Sequence, residues 1–202
     1  MSKGEMTTGR LEAFSDGVIA IIVTIMVLQL QAPAQPTWPA LLKVSPIFIS
    51  YGLSFLVVAI MWVNHHHLIH AVHKVTARLL WSNLNLLFWM SLVPFVTDFL
   101  GRNYRQPMAV ALYGLDLAFC GASFGILRTE LVRQDGQDEA MSAYHARVQR
   151  KNRFSAGLYL LSVPLAYVSV YASFFIFVLI PATYFLPEKK LAETQEPVGY
   201  RK

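Results

Sequence analysis

The segment between residues 10 and 30, RLEAFSDGVIAIIVTIMVLQL, places a carboxylate directly ahead of an apolar run of membrane-spanning length. That carboxylate belongs to Asp16, and the next charged residue along the chain is Lys43. A charged side chain at the centre of a span costs about 2.5–3.5 kcal/mol on insertion scales, so it usually pairs with a buried group or lines a pathway. We therefore predict that this helix lines an ion pathway and that polar partners hold its Phe-Ser-Asp end.

Further apolar stretches predict an all-α, polytopic membrane protein. Of the 202 residues, 55% are hydrophobic and 14% are charged, whereas soluble domains carry about 25% charged residues. We predict one transmembrane domain over residues 1–187, with six helices per subunit, and a mobile cytoplasmic tail over residues 188–202. The predicted spans cover residues 10–31, 44–72, 79–99, 107–132, 154–169 and 172–187.

The last two predicted spans come from one uncharged run, residues 154–187. A single helix of that length would extend about 50 Å, well beyond a bilayer core of about 30 Å. Two short spans that meet in a tight turn would fit, and the polar residues nearest the middle are Ser169, Tyr171 and Ser173. The polar segment 133–153 is helix-compatible, so it either extends the fourth helix or leads into the fifth.

The basic residues predict the orientation of these spans. With six spans, only Lys43, Arg102 and Arg105 lie on one side, and the other fourteen of the seventeen basic residues lie on the opposite side. The richer side is cytoplasmic by the positive-inside rule, which predicts cytoplasmic termini and a place in the cell membrane (plasma or inner). The basic residues stand at the ends of apolar runs rather than in one stripe, so we expect contacts with membrane lipid and no nucleic-acid partner.

One face of the first helix is mostly aliphatic. At 3.6 residues per turn, this face carries Arg10, Phe14, Gly17, Ile21, Ile25 and Leu28, with Thr24 at its edge. Such a stripe can contact lipid or another helix, or it can form a hydrophobic constriction that gates a pore by dewetting. The stripe by itself does not distinguish these alternatives.

The acid Asp16 points to one side of this face and Ser15 to the other. Because Arg10 lies on a different side of the helix from Asp16, we expect the partners of Asp16 on other helices. The candidates are His65 or its neighbours in the second span, and Trp81, Asn83 or Asn85 in the third. Their side chains can all donate hydrogen bonds to a carboxylate. We favour a structural clamp over a direct role in ion passage or proton sensing.

The second predicted span ends in a cluster of five histidines: His65, His66, His67, His70 and His73. Three of them share one helical face, His66, His70 and His73. A zinc site needs a closed set of ligands, and no cysteine or carboxylate lies near them on that face. We therefore predict structural or interfacial histidines and no metal site, while a proton-linked role stays open.

The fourth predicted span carries an isolated acid, Asp116, which could pair with another helix or subunit. Its three glycines, Gly114, Gly121 and Gly125, are spaced for close helix contact. The single cysteine, Cys120, has no partner for an internal disulfide and is expected to be a buried thiol. No P-loop, GxSxG, HExxH or dinucleotide motif is present, so we predict neither an enzyme nor a cofactor.

Several motifs make the chain similar to the transmembrane protein 175 family, the endosomal and lysosomal potassium channels and their prokaryotic relatives. Arg10, Phe14, Ser15 and Asp16 match its first-helix signature Arg-x-x-x-Phe-Ser-Asp. Trp62 and His65 match Trp-x-x-His in the second span, and Asn83 and Pro94 match an asparagine and a proline in the third. The resemblance covers most of the chain.

This resemblance implies a homotetrameric, potassium-selective leak channel whose permeant species is the potassium ion. It implies that the first helices surround the pore, with a constriction at Ile21, further layers at Ile25 and Leu28, and hydroxyls from Thr24. It also implies that the Phe-Ser-Asp group packs against His65 and Asn83. Two alternatives are a proton-coupled secondary transporter that uses Asp16, Asp116 and the histidine cluster, and a non-conducting scaffold.

Overall fold

The computed structural model describes residues 7–72, 74–133 and 139–185, with residues 139–145 and 185 described by their backbone alone. Within these residues all regular structure is helical, which confirms the all-α class for the described part. The helices are α1 (Thr8–Leu28), α2 (Trp38–Lys43), α3 (Ser45–His70), α4 (Ala77–Arg102), α5 (Pro107–Val132), α6 (Glu139–Val168) and α7 (Val170–Phe185). The predicted tail and His73 lie outside the described residues.

Helix starts coincide with capping threonines and with prolines. The hydroxyls of Thr7 and Thr76 cap α1 and α4 by accepting a backbone N–H three residues further on, at 3.4 and 3.3 Å. Between the first two long helices the sequence predicts only a proline-broken connection, but Thr37 caps the short helix α2. Pro39 fits the first turn of α2 because an N–H at that position would have no partner within the helix.

Four helices, α1, α3, α4 and α5, are long and apolar enough to cross a membrane. Helix α7 is apolar but has 16 residues, and α6 begins with a charged half before its apolar half. The chain is therefore a multi-pass membrane protein. Ser169 alone separates α6 from α7, at one of the three residues where the sequence predicts a turn.

The polar segment between α5 and α6 continues into the later helix. Helix α5 ends at Val132 and α6 begins at Glu139. Of the two arrangements that the sequence allows, the described part of this segment therefore leads into the fifth predicted span. This positions the basic residues of the segment at the polar end of α6.

The most buried of the four long helices is α5, and it packs closely against α6. An added Cβ at Gly121 would lie 3.1 Å from the Cβ of Ala156, and one at Gly125 would lie 3.1 Å from a side-chain amide of α6. An added Cβ at Gly114 would overlap the hydroxyl of Ser162. The predicted close helix contact at these glycines is confirmed. Cys120 on the same helix is a fully buried free thiol, also as predicted.

Candidate pore helix and its polar clamp

The two long faces of α1 lie in different environments. One face is buried against α3 and α4 and consists of Leu11, Ser15, Ile19, Ile22 and Met26. On the other side Ile21 is 59% exposed and Leu28 is 79% exposed, and Arg10, Phe14, Gly17, Thr24 and Ile25 are exposed with them. The aliphatic face predicted from the sequence is thus the face that one copy of the chain leaves uncovered.

A buried chain of hydrogen bonds joins α1 to α4 and α3. Nδ2 of Asn83 donates to Oγ of Ser15 at 2.9 Å, and Ser15 donates to the carbonyl of Leu11 at 2.9 Å. Oδ1 of Asn83 lies 2.8 Å from Nε2 of His65. Because an amide oxygen only accepts, His65 carries a proton on Nε2 in this arrangement. All three linked side chains are completely shielded from solvent, each at 0% exposure.

A second contact connects Asp16 to α3. Nε1 of Trp62 donates to Oδ1 of Asp16 at 3.0 Å. The partner is therefore a neighbour of His65 in the second predicted span, as expected, while His65 itself bonds to Asn83 instead. We refer to Ser15, Asp16, Trp62, His65 and Asn83 together as the polar clamp.

Two other candidates for pairing with Asp16 prove wrong. Trp81 is 71% exposed, and Asn85 donates to Oγ of Ser123 on α5 at 2.7 Å. Trp81 and Asn85 are each two residues from Asn83, and at 3.6 residues per turn that spacing is a rotation of about 200° around the helix axis. Since Asn83 faces α1, its neighbours at that spacing must face elsewhere.

The signature residues Arg10 and Phe14 do not join the polar clamp. The side chain of Arg10 is exposed, and Phe14 is also largely exposed. Both lie on the uncovered face of α1, one turn apart, so the helix directs them away from α3 and α4. Of the Phe-Ser-Asp group, which the resemblance places against His65 and Asn83, Ser15 bonds to Asn83, Asp16 bonds to Trp62 instead, and Phe14 faces away from α3 and α4.

The hydroxyl of Thr24 is engaged within its own helix. Its Oγ1 donates to the carbonyl of Ile21 at 2.8 Å. That bond uses the only proton of the hydroxyl and leaves oxygen lone pairs free. The exposed side of α1 therefore presents an oxygen acceptor beside its aliphatic residues.

Asp116 lies on α5, away from the polar clamp. It is 4% exposed, and neither carboxylate oxygen has a hydrogen-bond partner among the described residues. Pairing with another helix, one of the two possibilities raised by the sequence, is therefore not seen among the described residues. The structure therefore does not bring Asp116 together with Asp16 and the histidines.

Glu12 also belongs to this region, although no motif in the sequence points to it. Its Oε1 lies 3.2 Å from Nδ1 of His66 and 3.2 Å from Nε2 of His70. On their own helical face these histidines have no carboxylate nearby, as the sequence indicates, but α1 brings one to them from another part of the chain. The signal that could have identified Glu12 is its spacing. Glu12 lies four residues before Asp16 on α1, and His66 lies four residues after Trp62 on α3. Because the two helices run antiparallel, one turn from the Asp16–Trp62 contact brings Glu12 beside His66.

Comparisons with known proteins agree on one family. Residues 10–94 match the family described as endosomal/lysosomal potassium channel TMEM175. A potassium channel of Chryseobacterium sp. is 38% identical over 190 residues, covering 94% of this chain and 98% of that protein. A potassium channel of Streptomyces collinus is 37% identical over 173 residues, covering 80% and 84%. The crystal structure of a lysosomal potassium-selective channel TMEM175 homolog from Chamaesiphon minutus matches with a TM-score of 0.78 and 27% identity, covering 88% of this chain and 95% of that one.

Proposed function

The chain belongs to the endosomal/lysosomal potassium channel TMEM175 family, a family of ion channels, and on that premise we propose that it is a potassium-selective leak channel. Four identical subunits would surround one pore, with α1 of each subunit at the axis. The relatives named above are potassium channels, and the Chamaesiphon minutus protein is a homolog of a lysosomal potassium-selective channel. The finer points, which are the tetramer, the pore lining and the gate, rest on the geometry of α1.

The observation that carries this proposal is the division of α1 between a fixed face and an uncovered face. The polar clamp holds one side of the helix against α3 and α4, while Ile21, Ile25 and Leu28 extend along the other side. A helix that only anchors the chain in lipid would not need a half-buried carboxylate and a buried amide network to fix its rotation. Fixing the rotation matters when the same edge from several subunits must meet at an axis.

Permeation would then depend on the loss of water from the ion. A ring of Ile21 side chains would form a narrow apolar layer, and hydrophobic constrictions of this kind gate by dewetting. Potassium loses water more readily than sodium because it is larger. The lone pairs of Thr24, next to the constriction, would replace part of the lost hydration.

We further propose that each subunit crosses the membrane six times, with both termini in the cytoplasm of a cell whose plasma or inner membrane holds the channel. Helices α1, α3, α4 and α5 supply four spans. The apolar half of α6 and the whole of α7 would supply the other two, with the turn at Ser169. The charged half of α6 would then extend into the cytoplasm.

The test is a bilayer recording of the purified protein with potassium on one side and sodium on the other. A passive current that reverses close to the potassium equilibrium potential is the expected result. The second candidate is a proton-coupled transporter that uses Asp16, Asp116 and the histidine cluster. The observation in its favour is the buried carboxyl of Asp116, which has no hydrogen-bond partner in the part of the chain that the structure describes. Concentrative uptake into proteoliposomes driven by a pH gradient would select the transporter instead.

A further inference from the structure

A carboxylate of α1 lies between two imidazole rings of α3. Oε1 of Glu12 is 3.2 Å from both Nδ1 of His66 and Nε2 of His70. Because the two histidines are four residues apart, the helix places them on one face. Their ring centroids are 4.3 Å apart, and the rings are nearly perpendicular at 86°. One potential ligand atom from each residue lies within 4.8 Å of the other two.

These distances fit a single metal ion held by three side chains. Zinc binds imidazole nitrogen and carboxylate oxygen at about 2.0–2.2 Å, in a tetrahedron. Two ligand atoms on such a tetrahedron are about 3.3 Å apart, given those bond lengths. The two distances from Glu12 already have that value. The ligand nitrogens of His66 and His70 lie within 4.8 Å of each other, and the His70 ring that carries one of them is exposed.

The hydrogen bonds of the region leave these atoms available. Nδ1 of His66 makes no hydrogen bond with any described residue, although it lies close to Oε1 of Glu12. The two atoms are therefore at hydrogen-bond distance, but their relative orientation does not form a hydrogen bond. In contrast, Nδ1 of His67 lies 2.7 Å from the carbonyl of Val63, so that neighbouring histidine is bound to its own helix.

We propose that Glu12, His66 and His70 bind one divalent transition-metal ion of the zinc class, with water at the fourth position. Imidazole ligands suit zinc, nickel and copper, whereas calcium and magnesium prefer an all-oxygen set. The partial exposure of His70 provides a path for the ion to enter. The site lies one helical turn beyond the contact between Asp16 and Trp62, so the ion joins α1 to α3 a second time.

The bound ion thus stabilises the attachment of the candidate pore helix. Three contacts at successive turns of α1 join it to α3 and to the residues just after α3. They are Asp16 with Trp62, Glu12 with His66 and His70, and the Thr8 hydroxyl with the carbonyl of Val72 at 3.4 Å. When the metal is present, coordinate bonds through the ion join Glu12 to His66 and His70. Binding at this site does not depend on which ion the channel conducts.

The test uses the full chain in detergent, purified with a tag that contains no histidine and freed of metal. Titration with zinc chloride in a calorimeter should give one ion per chain with no comparable heat from calcium. Glu12→Gln, His66→Ala and His70→Ala should each weaken zinc binding by about tenfold or more, because loss of even an indirect contact to a metal ligand costs about 10–100-fold. His67→Ala is the matched control from the same histidine run and should bind as the original protein does.

Cobalt provides a second measurement that does not depend on the stability of the variants. Cobalt bound at the site should show the intense visible absorption of tetrahedral coordination, and added zinc should remove it. Zinc should also raise the unfolding temperature of the original protein but not that of Glu12→Gln. Zinc affinity that is unchanged in Glu12→Gln, or reduced equally in His67→Ala, would overturn the proposal. A protein without tetrahedral cobalt absorption would also overturn it and would leave only direct contacts between Glu12 and the two histidines.

Discussion

Asn83 of α4 donates its amide hydrogen to the hydroxyl of Ser15 on α1 at 2.9 Å, in a position that solvent does not reach. The same amide binds His65 through its oxygen at 2.8 Å. One side chain therefore joins three membrane helices. This arrangement fixes the rotation of α1 and, with it, the direction of the aliphatic face.

We expect Asn83→Leu to lower the free energy of unfolding by about 1–3 kcal/mol, mainly because it leaves the buried Nε2–H of His65 without its acceptor, whereas Ser15 keeps its bond to the carbonyl of Leu11. The lost hydrogen bonds themselves contribute less, since such bonds between membrane helices average about 0.6 kcal/mol. Denaturation in mixed detergent micelles measures the difference. The matched control is Asn64→Leu, because the amide of Asn64 donates only to the carbonyl of Ile60 in its own helix. Equal effects of the two substitutions would contradict a special role for Asn83.

We expect Asp16→Ala to reduce assembly more than it alters permeation. The substitution removes the acceptor of the Trp62 indole and frees this end of α1 to rotate. Size-exclusion chromatography with light scattering should show fewer tetramers, while the channels that still form keep their unitary current. Asp98→Ala is a suitable control, because Asp98 binds Arg102 at 2.8 Å within α4 alone. A variant that stays tetrameric but no longer conducts would reverse this assignment.

We expect Ile21→Asn to raise conductance and to weaken the selectivity for potassium over sodium. An amide in place of a branched aliphatic group lowers the cost of wetting the constriction and offers oxygen and nitrogen to either cation. Reversal potentials under a potassium and sodium gradient measure the change. Leu161→Asn on α6, another exposed aliphatic position, should leave selectivity as it is. Unchanged currents in Ile21→Asn would place the constriction elsewhere.

Much of the helical framework follows from local sequence. The apolar runs, the capping Thr7 and Thr76 and the uncharged stretch around Ser169 are local signals, and the helices begin or end close to them. The glycine spacing of α5 also predicts its close contact with α6, because small residues at such spacing let two helices approach. The short helix α2 was not predicted, because the prolines in and before it suggest a break in helical structure. A proline such as Pro39 is nevertheless well suited to the first turn of a helix.

For the side-chain contacts between helices, the sequence predicts only groups of candidate partners. Ser15, Asp16 and Asn83 are recognisable as polar residues within apolar runs, but their partners depend on the rotation and register of neighbouring helices. That is why Trp81 and Asn85 were plausible partners of Asp16 and were wrong. Glu12 was missed for the same reason, since its histidines are more than fifty residues away in sequence.

The central claim is that the uncovered face of α1 borders a water-filled conduit shared by several copies of the chain. The most direct test is Leu28→Cys in a Cys120→Ala background, treated with a positively charged, water-soluble thiol reagent during bilayer recording. Leu161→Cys in the same background is the control for an exposed position on another helix. We expect rapid loss of most of the current in Leu28→Cys and no loss in Leu161→Cys. Full current in Leu28→Cys after treatment, with the thiol left unmodified, would mean that this face contacts lipid and does not line a pore.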